Sequence, residues 1–366
     1  MQNGNPTTDK MKVYSKVSNK LKQMMPQGSQ NQVVVLAMMV AGIVMGRKAQ
    51  LSTMGLNVPH QAKPASLTKR FQRFVKNKHV DRSALFMPFA EQILQHLSSK
   101  RLFITMDASQ VGRGCMTLMV AVIYRQRAIP LAWIVYEGKK GHTVAARHIE
   151  VLELLKAVLP EDADVVLLAD AEYDTVEMLT WVEAETAWAF IVRTDPRILI
   201  TELGVQYPIR ALLSEVDRCV AVPDVLFTAQ NYGPVMAVAF WQTPHKKPVY
   251  LISNHPRLQD VCRFYAKRFK IETMFSDKKS RGFNIQKSHL RHPERIARLL
   301  LAVALSYIWI VYMGASVADD EDKRSLIDRP NRTDKSLFRL GLDWLTHALT
   351  RDLAFDVHFH PLPTSG

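Results

Sequence analysis

Between Phe264 and Phe283 the chain reads F-Y-A-K-R-F-K-I-E-T-M-F-S-D-K-K-S-R-G-F, and four of these side chains can do chemistry together. Tyr265, Arg268, Glu272 and Lys279 follow at steps of three, four and seven residues. At about 100° of turn per residue, that spacing predicts all four on one narrow face of a helix. A carboxylate flanked by cations and a phenol suits a metal ion beside a phosphate chain. Glu supplies a hard oxygen ligand, Arg and Lys take phosphate oxygens, and Tyr hydrogen-bonds or stacks. The same spacing also describes a solvated helix face carrying i,i+4 pairs such as Arg268 with Glu272.

Context separates the two readings. The pattern Y-x2-R-x3-E-x6-K and the residues around it, R-F-K-I-E-T-M-F-S-D-K-K-S-R-G-F, resemble the motif of a large group of bacterial insertion-sequence transposases with a DDE catalytic triad, the insertion-sequence-four group. The resemblance extends more loosely from about Leu102 to about Leu345. It implies metal-dependent cut-and-paste transposition: a strand nicked at the transposon end, a hairpin end formed and reopened, and joining to target DNA. It also implies DNA partners (terminal inverted repeats and target), a homodimer in the DNA complex, and a bacterial cytoplasmic, nucleoid-associated location.

Phosphodiester cleavage by hard cations needs carboxylates converging from different segments, because two Mg²⁺ or Mn²⁺ ions sit roughly 3.5 to 4 Å apart around the scissile phosphate. Asp107, Asp170 and Glu272 are the candidates, as catalytic residues and as metal ligands. Each Asp taken singly is also an ordinary strand-end turn or cap residue. Glu172 and Asp174 compete with Asp170 in D-A-E-Y-D-T. Asp170 directly ends its strand, whereas Asp174 is placed to cap the following helix. By resemblance, Arg268 and Lys279 hold backbone phosphates and Tyr265 contacts a phosphate beside the scissile bond. Trp241 is a candidate platform for a flipped base, or else a core tryptophan. An H-x-H in the tail, His358 and His360, is too weak a pattern for a metal site.

The elements that must position these groups are visible in the hydropathy pattern. R-L-F-I-T-M-D, G-C-M-T-L-M-V-A-V-I-Y and A-I-P-L-A-W-I-V-Y read as an antiparallel meander. A helix capped by Thr143 follows, then the continuous apolar strand of Asp164 to Asp170, a helix near Thr175 to Glu185, and the strand W-A-F-I-V-R. This β-β-β-α-β-α-β order predicts an α/β, ribonuclease-H-like catalytic domain in which the first and fourth strands bring Asp107 and Asp170 together. Strands between residues 196 and 253 predict an inserted β-rich subdomain, with T-P-H-K-K-P as one of its turns. The expected division is a helical DNA-binding domain over 1–98, the catalytic core over 99–195 and 254–317, the insertion between them, and a C-terminal helix and tail over 318–366.

In the all-α N-terminal region, S-L-T-K-R-F-Q-R-F-V-K-N-K predicts a helix capped by Ser66. Leu67, Phe71, Phe74 and Val75 share one face, and Lys69, Arg70 and Arg73 lie on the remainder. After a preceding helix and turn, this is either a helix-turn-helix reader of DNA or an ordinary surface helix. Asp81 should cap the next helix, which contains Pro88.

Composition agrees with a polyanionic partner: 48 Lys and Arg exceed 34 Asp and Glu among 366 residues, a formal charge of +14. The cysteines Cys115, Cys219 and Cys262 are far apart in sequence, indicating neither a zinc site nor a disulfide framework. The N-terminus lacks the pattern of a secretory signal. Leu299 to Val317 carries no charge and is about long enough to cross a bilayer, but a buried central helix has the same composition, and no membrane partner is expected. The acidic run A-D-D-E-D-K reads as a solvated loop, and the tail beyond Arg351 as irregular.

Overall fold

Alternating and continuous apolar runs between residues 102 and 253 condense into one ten-stranded mixed sheet, and the charge-free stretch from Leu299 forms most of the helix against which the others pack. The computed structural model describes residues 6–139, 141, 143–216, 218–242, 247–329 and 335–361. The turn expected at T-P-H-K-K-P lies largely outside them.

Five helices come first: α1 Pro6–Met24, α2 Gln30–Gly46, α3 Leu51–Leu56, α4 Pro64–Lys76 and α5 Arg82–Leu97. A meander follows, β1 Leu102–Gly112, β2 Cys115–Tyr124 and β3 Arg127–Glu137, then α6 Ala145–Lys156, β4 Val165–Ala169, α7 Val176–Glu185 and β5 Ala189–Arg193. Next come β6 Leu199–Glu202, β7 Val205–Pro208, β8 Arg218–Phe227, β9 Tyr232–Trp241 and β10 Val249–Ser253. The chain closes with α8 Leu258–Tyr265, α9 Lys270–Lys278, α10 Pro293–Ala318, α11 Glu321–Ser325 and α12 Leu337–Thr350.

The strand order is β3-β2-β1-β4-β5-β10-β9-β8-β6-β7. β1, β2 and β3 pair antiparallel, whereas β4 and β5 run parallel to β1. β10 pairs antiparallel with both β5 and β9, so the strands between residues 196 and 253 extend the central sheet itself. The helices of residues 6–97 are likewise continuous with the rest. Their apolar faces join the core cluster that holds β1–β3 and α10, with α2 and α4 packing on α10.

Several local expectations shift, each for a readable reason. α4 begins at Pro64, with Lys63 in the cap position and Ser66 inside the helix. Proline's fixed φ and missing N–H suit the first helical turn, where that donor has no partner anyway. Leu67, Phe71, Phe74 and Val75 are buried as its apolar face. Asp81 caps α5, accepting from the N–H groups of Ser83 and Ala84, with Pro88 inside the helix. Thr143 does not cap α6, which Val144 precedes, because its hydroxyl donates to Glu172 Oε1 at 2.7 Å. The acidic run forms α11, capped by Asp320. The irregular tail is packed rather than loose: Phe355, Val357 and Phe359 are buried, and Trp309 Nε1 donates to the Asp356 carbonyl at 3.0 Å.

α10 is long and apolar enough to span a membrane, yet its most apolar stretch is entirely buried within the protein. A helix apolar on every side needs cover on every side, and α2, α4, α12 and β3 supply it. The crossing with α12 is backbone to backbone. A Cβ on Gly314 would fall 1.8 Å from the Leu337 carbonyl oxygen, and one on Gly341 2.0 Å from that of Ile310. Substituting Ala at either position should therefore cost about 3 kcal/mol through forced separation of the helices. A calorimetric melting midpoint unchanged by Gly341→Ala would refute so close a crossing.

α9 is anchored from beneath by two buried charges. Asp277 lies 3.7 Å from Arg127, and burial raises its carboxyl to about 6 against the opposing pull of Arg127 and Arg281. Lys278 is 2% exposed, with its Nζ 3.1 Å from Met119 Sδ and 5.5 Å from the Tyr307 ring centre. Burial lowers its ammonium from 10.5 to about 7. Between those values the unfolded chain holds a proton that the folded chain sheds, so this group makes stability rise with pH across the window. Lys278→Met should stabilise the fold at pH 7 by on the order of 1–4 kcal/mol and flatten that slope. Urea denaturation at pH 7 and pH 10 measures both, and parallel wild-type and variant curves would contradict the assignment.

Candidate active site

Strand alternation aims the first group. Thr105, Asp107 and Ser109 occupy every second position of β1, so their side chains leave the same face. Thr105 Oγ1 donates to the Arg268 carbonyl at 3.4 Å, and Lys279 Nζ donates to Ser109 Oγ at 2.6 Å. The segment from Arg268 to Lys279 thus lies along that face, with Asp107 between the two contacts. Asp107 is 6% exposed, and its Oδ1 accepts the Ala108 N–H at 2.7 Å. Parallel pairing sets Met106 opposite Ala169, so Asp170, one residue past β4, stands beside Asp107.

The helix carrying the third acid differs from the sequence expectation. α8 ends at Tyr265, a 3-10 turn spans Ala266–Phe269, and α9 starts at Lys270. Three residues per turn in that segment advance the phase relative to an α-helix, so the four motif residues do not share one regular helix face. Lys279 lies past the helix end, at φ −97° and ψ −124°. The i,i+4 contact survives: Arg268 Nη2 donates to Glu272 Oε1 at 3.0 Å.

Arg268 pairs with two of the acids, Asp170 and Glu272, and feels the charge of the third, Asp107. It is 2% exposed, and its Nη1 lies 3.8 Å from Asp170 Oδ2. Burial alone would lower its pKa. The surrounding Tyr265, Asp170, Asp107 and Glu272 reverse that and raise it. Tyr265 is buried against the guanidinium, 5.8 Å from ring centre to Cζ, and burial raises its phenol. Arg193 adds a second cation, its Nη1 3.7 Å from Asp170 Oδ1.

The donor set fits a hard divalent cation. Asp107, Asp170 and Glu272 offer carboxylate oxygens, and Asp170 Oδ1 is buried without a hydrogen-bond donor. Among the described residues, however, no three acidic, His or Cys groups stand close enough to hold an ion. The positive charge among these carboxylates belongs to Arg268. The competing acids point elsewhere. Glu172 accepts from the Thr143 hydroxyl and N–H, and Asp174 accepts from Thr194 Oγ1 at 2.6 Å rather than capping α7, which Thr175 precedes. Burial raises the Asp174 carboxyl.

A cleft of about 710 Å³ opens beside Tyr265, lined by Arg193, Phe240, Lys247, Cys262 and Phe269 among others. Trp241 is not among its lining residues. Phe240 packs in the cluster under α8, whereas the neighbouring Trp241 packs against the core on the opposite face of β9. Lys69 and Arg73 are exposed and Arg70 half-buried on α4, an element separate from those carrying the acids.

Sequence reasoning missed Arg193, Tyr173 and His148. Arg193 ends β5, next to β4, so sheet neighbourhood alone could have suggested it. Tyr173 is buried with its phenol raised by burial and by Asp107, and its ring lies 4.8 Å from that of His148. His148 is fully buried with both ring nitrogens unpartnered, and burial drops it to about 4, so it is neutral at pH 7. No local motif announces either.

The central ion-pair network has a measurable coupling. Asp170→Asn leaves Arg268 less compensated, and Arg268→Met removes the charge that Asp170 answers. In a double-mutant cycle the two should couple by roughly 0.5–3 kcal/mol, the double variant losing less than the sum. Additive losses in urea denaturation would show that the two side chains do not interact.

Residues 94–309 match the family model described as a transposase DDE domain. No curated protein matches the chain. Among solved structures, a piggyBac transposase synaptic complex with hairpin DNA is similar at 13% identity and a TM-score of 0.47, covering 100% of this chain and 89% of that one. Human ENDOV is similar at 16% identity and a TM-score of 0.26, covering 65% of this chain and 95% of that one. The family match spans more than half of the sequence, including Asp107, Asp170, Glu272 and the whole Tyr-Arg-Glu-Lys pattern: the chain belongs to the transposase DDE domain family.

Proposed function

We propose that this chain is an active cut-and-paste DNA transposase of the insertion-sequence-four group, working in the bacterial cytoplasm at the nucleoid. The observation that carries the reading is the pairing of buried Arg268 with carboxylates from the end of β4 and from α9, with Asp107 of β1 adding its charge. The β3-β2-β1-β4-β5 order supports a ribonuclease-H-like core, with 1–98 as the DNA-binding region and 196–253 as the insertion.

In this reading Asp107, Asp170 and Glu272 would hold Mg²⁺ or Mn²⁺, two ions per site, which would supply Lewis-acid activation of the scissile phosphodiester. Arg268 and Lys279 take phosphate oxygens, as charge-assisted donors do, and the Tyr265 hydroxyl positions a neighbouring phosphate. Phosphate arriving at Arg268 competes with Asp170 and Glu272 for its donors and so releases carboxylate oxygens. Lys69, Arg70 and Arg73 hold DNA backbone away from the chemistry, and two copies of the chain bridge two element ends.

A second reading, a transposase-derived DNA-binding protein without catalysis, is separated by one experiment. Purified protein with Mg²⁺ or Mn²⁺ and DNA bearing its own element ends should cut at those ends. Asp107→Ala, Asp170→Ala and Glu272→Ala should each lower the rate by on the order of 10³ or more while DNA binding persists. Binding without cleavage by the wild-type chain would favour the second reading and sink the first. The mass of the end complex reports the stoichiometry, and one chain per pair of ends would contradict the dimer.

A further inference from the structure

Cys219 and Cys262 are separated by 43 residues, yet their Sγ atoms lie 3.6 Å apart. Cys219 stands exposed on β8. Cys262 is half-buried on α8, in the wall of the cleft beside Tyr265. Both are free thiols. We propose that they are a redox-modifiable pair that closes to an intramolecular disulfide, tying α8 to β8 next to the candidate active site. The inference stands apart from the functional reading, because it rests on the thiols alone.

A disulfide needs its sulfurs about 2.05 Å apart. The remaining approach of about 1.5 Å is on the scale of side-chain rotation, so no strand or helix has to be rebuilt. The two thiols differ in access and therefore in role. Cys219 is open to solvent and meets the oxidant first. Burial, with the neighbouring Cys219 sulfur adding to it, pushes the Cys262 thiol up to about 12, so little of it is thiolate at neutral pH and its attack depends on the 3.6 Å proximity of Cys219 Sγ.

With oxidised glutathione as the oxidant, the Cys219 thiolate attacks one sulfur of the glutathione disulfide and expels a glutathione thiolate. Cys262 then gives up its proton and attacks Cys219 Sγ, breaking the mixed disulfide and expelling the second glutathione. Two protein thiols are oxidised, one glutathione disulfide is reduced to two thiols, and the protons pass to the departing thiolates.

The placement gives the bond a mechanical effect. α8 runs directly into the 3-10 turn that bears Arg268, so a covalent tie at Cys262 would hold the start of that segment against β8. Cys115 is an internal control. It is buried, and its Sγ donates to the Arg291 carbonyl at 3.0 Å.

The test uses the full-length chain exposed to excess oxidised glutathione, then alkylated and mapped by peptide mass. Expected are a Cys219–Cys262 cross-linked peptide and an alkylated Cys115. In Cys262→Ser, a glutathione adduct should accumulate on Cys219, because the resolving thiol is gone. Hydrogen exchange across α8 should slow at least about fivefold in the cross-linked chain and return to its former rate on reduction. Recovery of both thiols in alkylated form, or arrest of the wild-type chain at the glutathione adduct, would overturn the pair. Unchanged exchange in the cross-linked chain would overturn the tie on α8.

Discussion

A guanidinium shut away from water has to be answered by negative charge, and Arg268 is answered from three directions. Removing such an ion from solvent costs several kcal/mol unless partners and geometry compensate. Its partners come from the end of β4 and from α9, with Asp107 on β1 adding its field. The dependence runs both ways. Three carboxylates turned toward one region repel, and a cation among them offsets that repulsion. Arg268 therefore lets the acids approach, and the acids let Arg268 be buried. Sheet pairing, helix placement and the electrostatics of the site meet in this one group.

Some of this arrangement was legible in the sequence because it depends on short-range rules. A continuous apolar run ending in Asp170, and the first strand's run into Asp107, mark those two carboxylates without knowledge of anything distant, whereas β1 continuing past Asp107 to Gly112, which puts Ser109 on the same face, was not read. The i,i+4 relation of Arg268 and Glu272 is equally local, and it persists. What could not be read was set by tertiary packing. The 3-10 turn at Ala266–Phe269 breaks the single helical face that spacing implied, and no Gly or Pro marks it. Lys279 reaches Ser109 from beyond the helix end, a contact across 170 residues. Asp174 and Thr143 have the chemistry of helix caps, but Thr194 and Glu172 offered each a better partner.

The N-terminal third makes a related point about organisation. Its basic helices look like a separate module in composition, and α4 presents Lys69 and Arg73 to solvent as such a module would. Yet the apolar faces of these helices close over α10, whose long uncharged stretch from Leu299 onward would otherwise suit a lipid environment. A segment that is distinct in charge is thus not distinct in burial. The hydrophobic demand of α10 draws the amino-terminal helices and the C-terminal helix α12 onto one axis.

The junction of β5 with β10 has its own implication. Because the ladder continues unbroken across it, the outer five strands cannot be lifted out as a cassette. Excising them would leave β5 with a bare row of amides and carbonyls, a template onto which a second copy could dock edge to edge. A shortened relative of this chain would need a charged, bulged or covered margin at that strand to stay in solution.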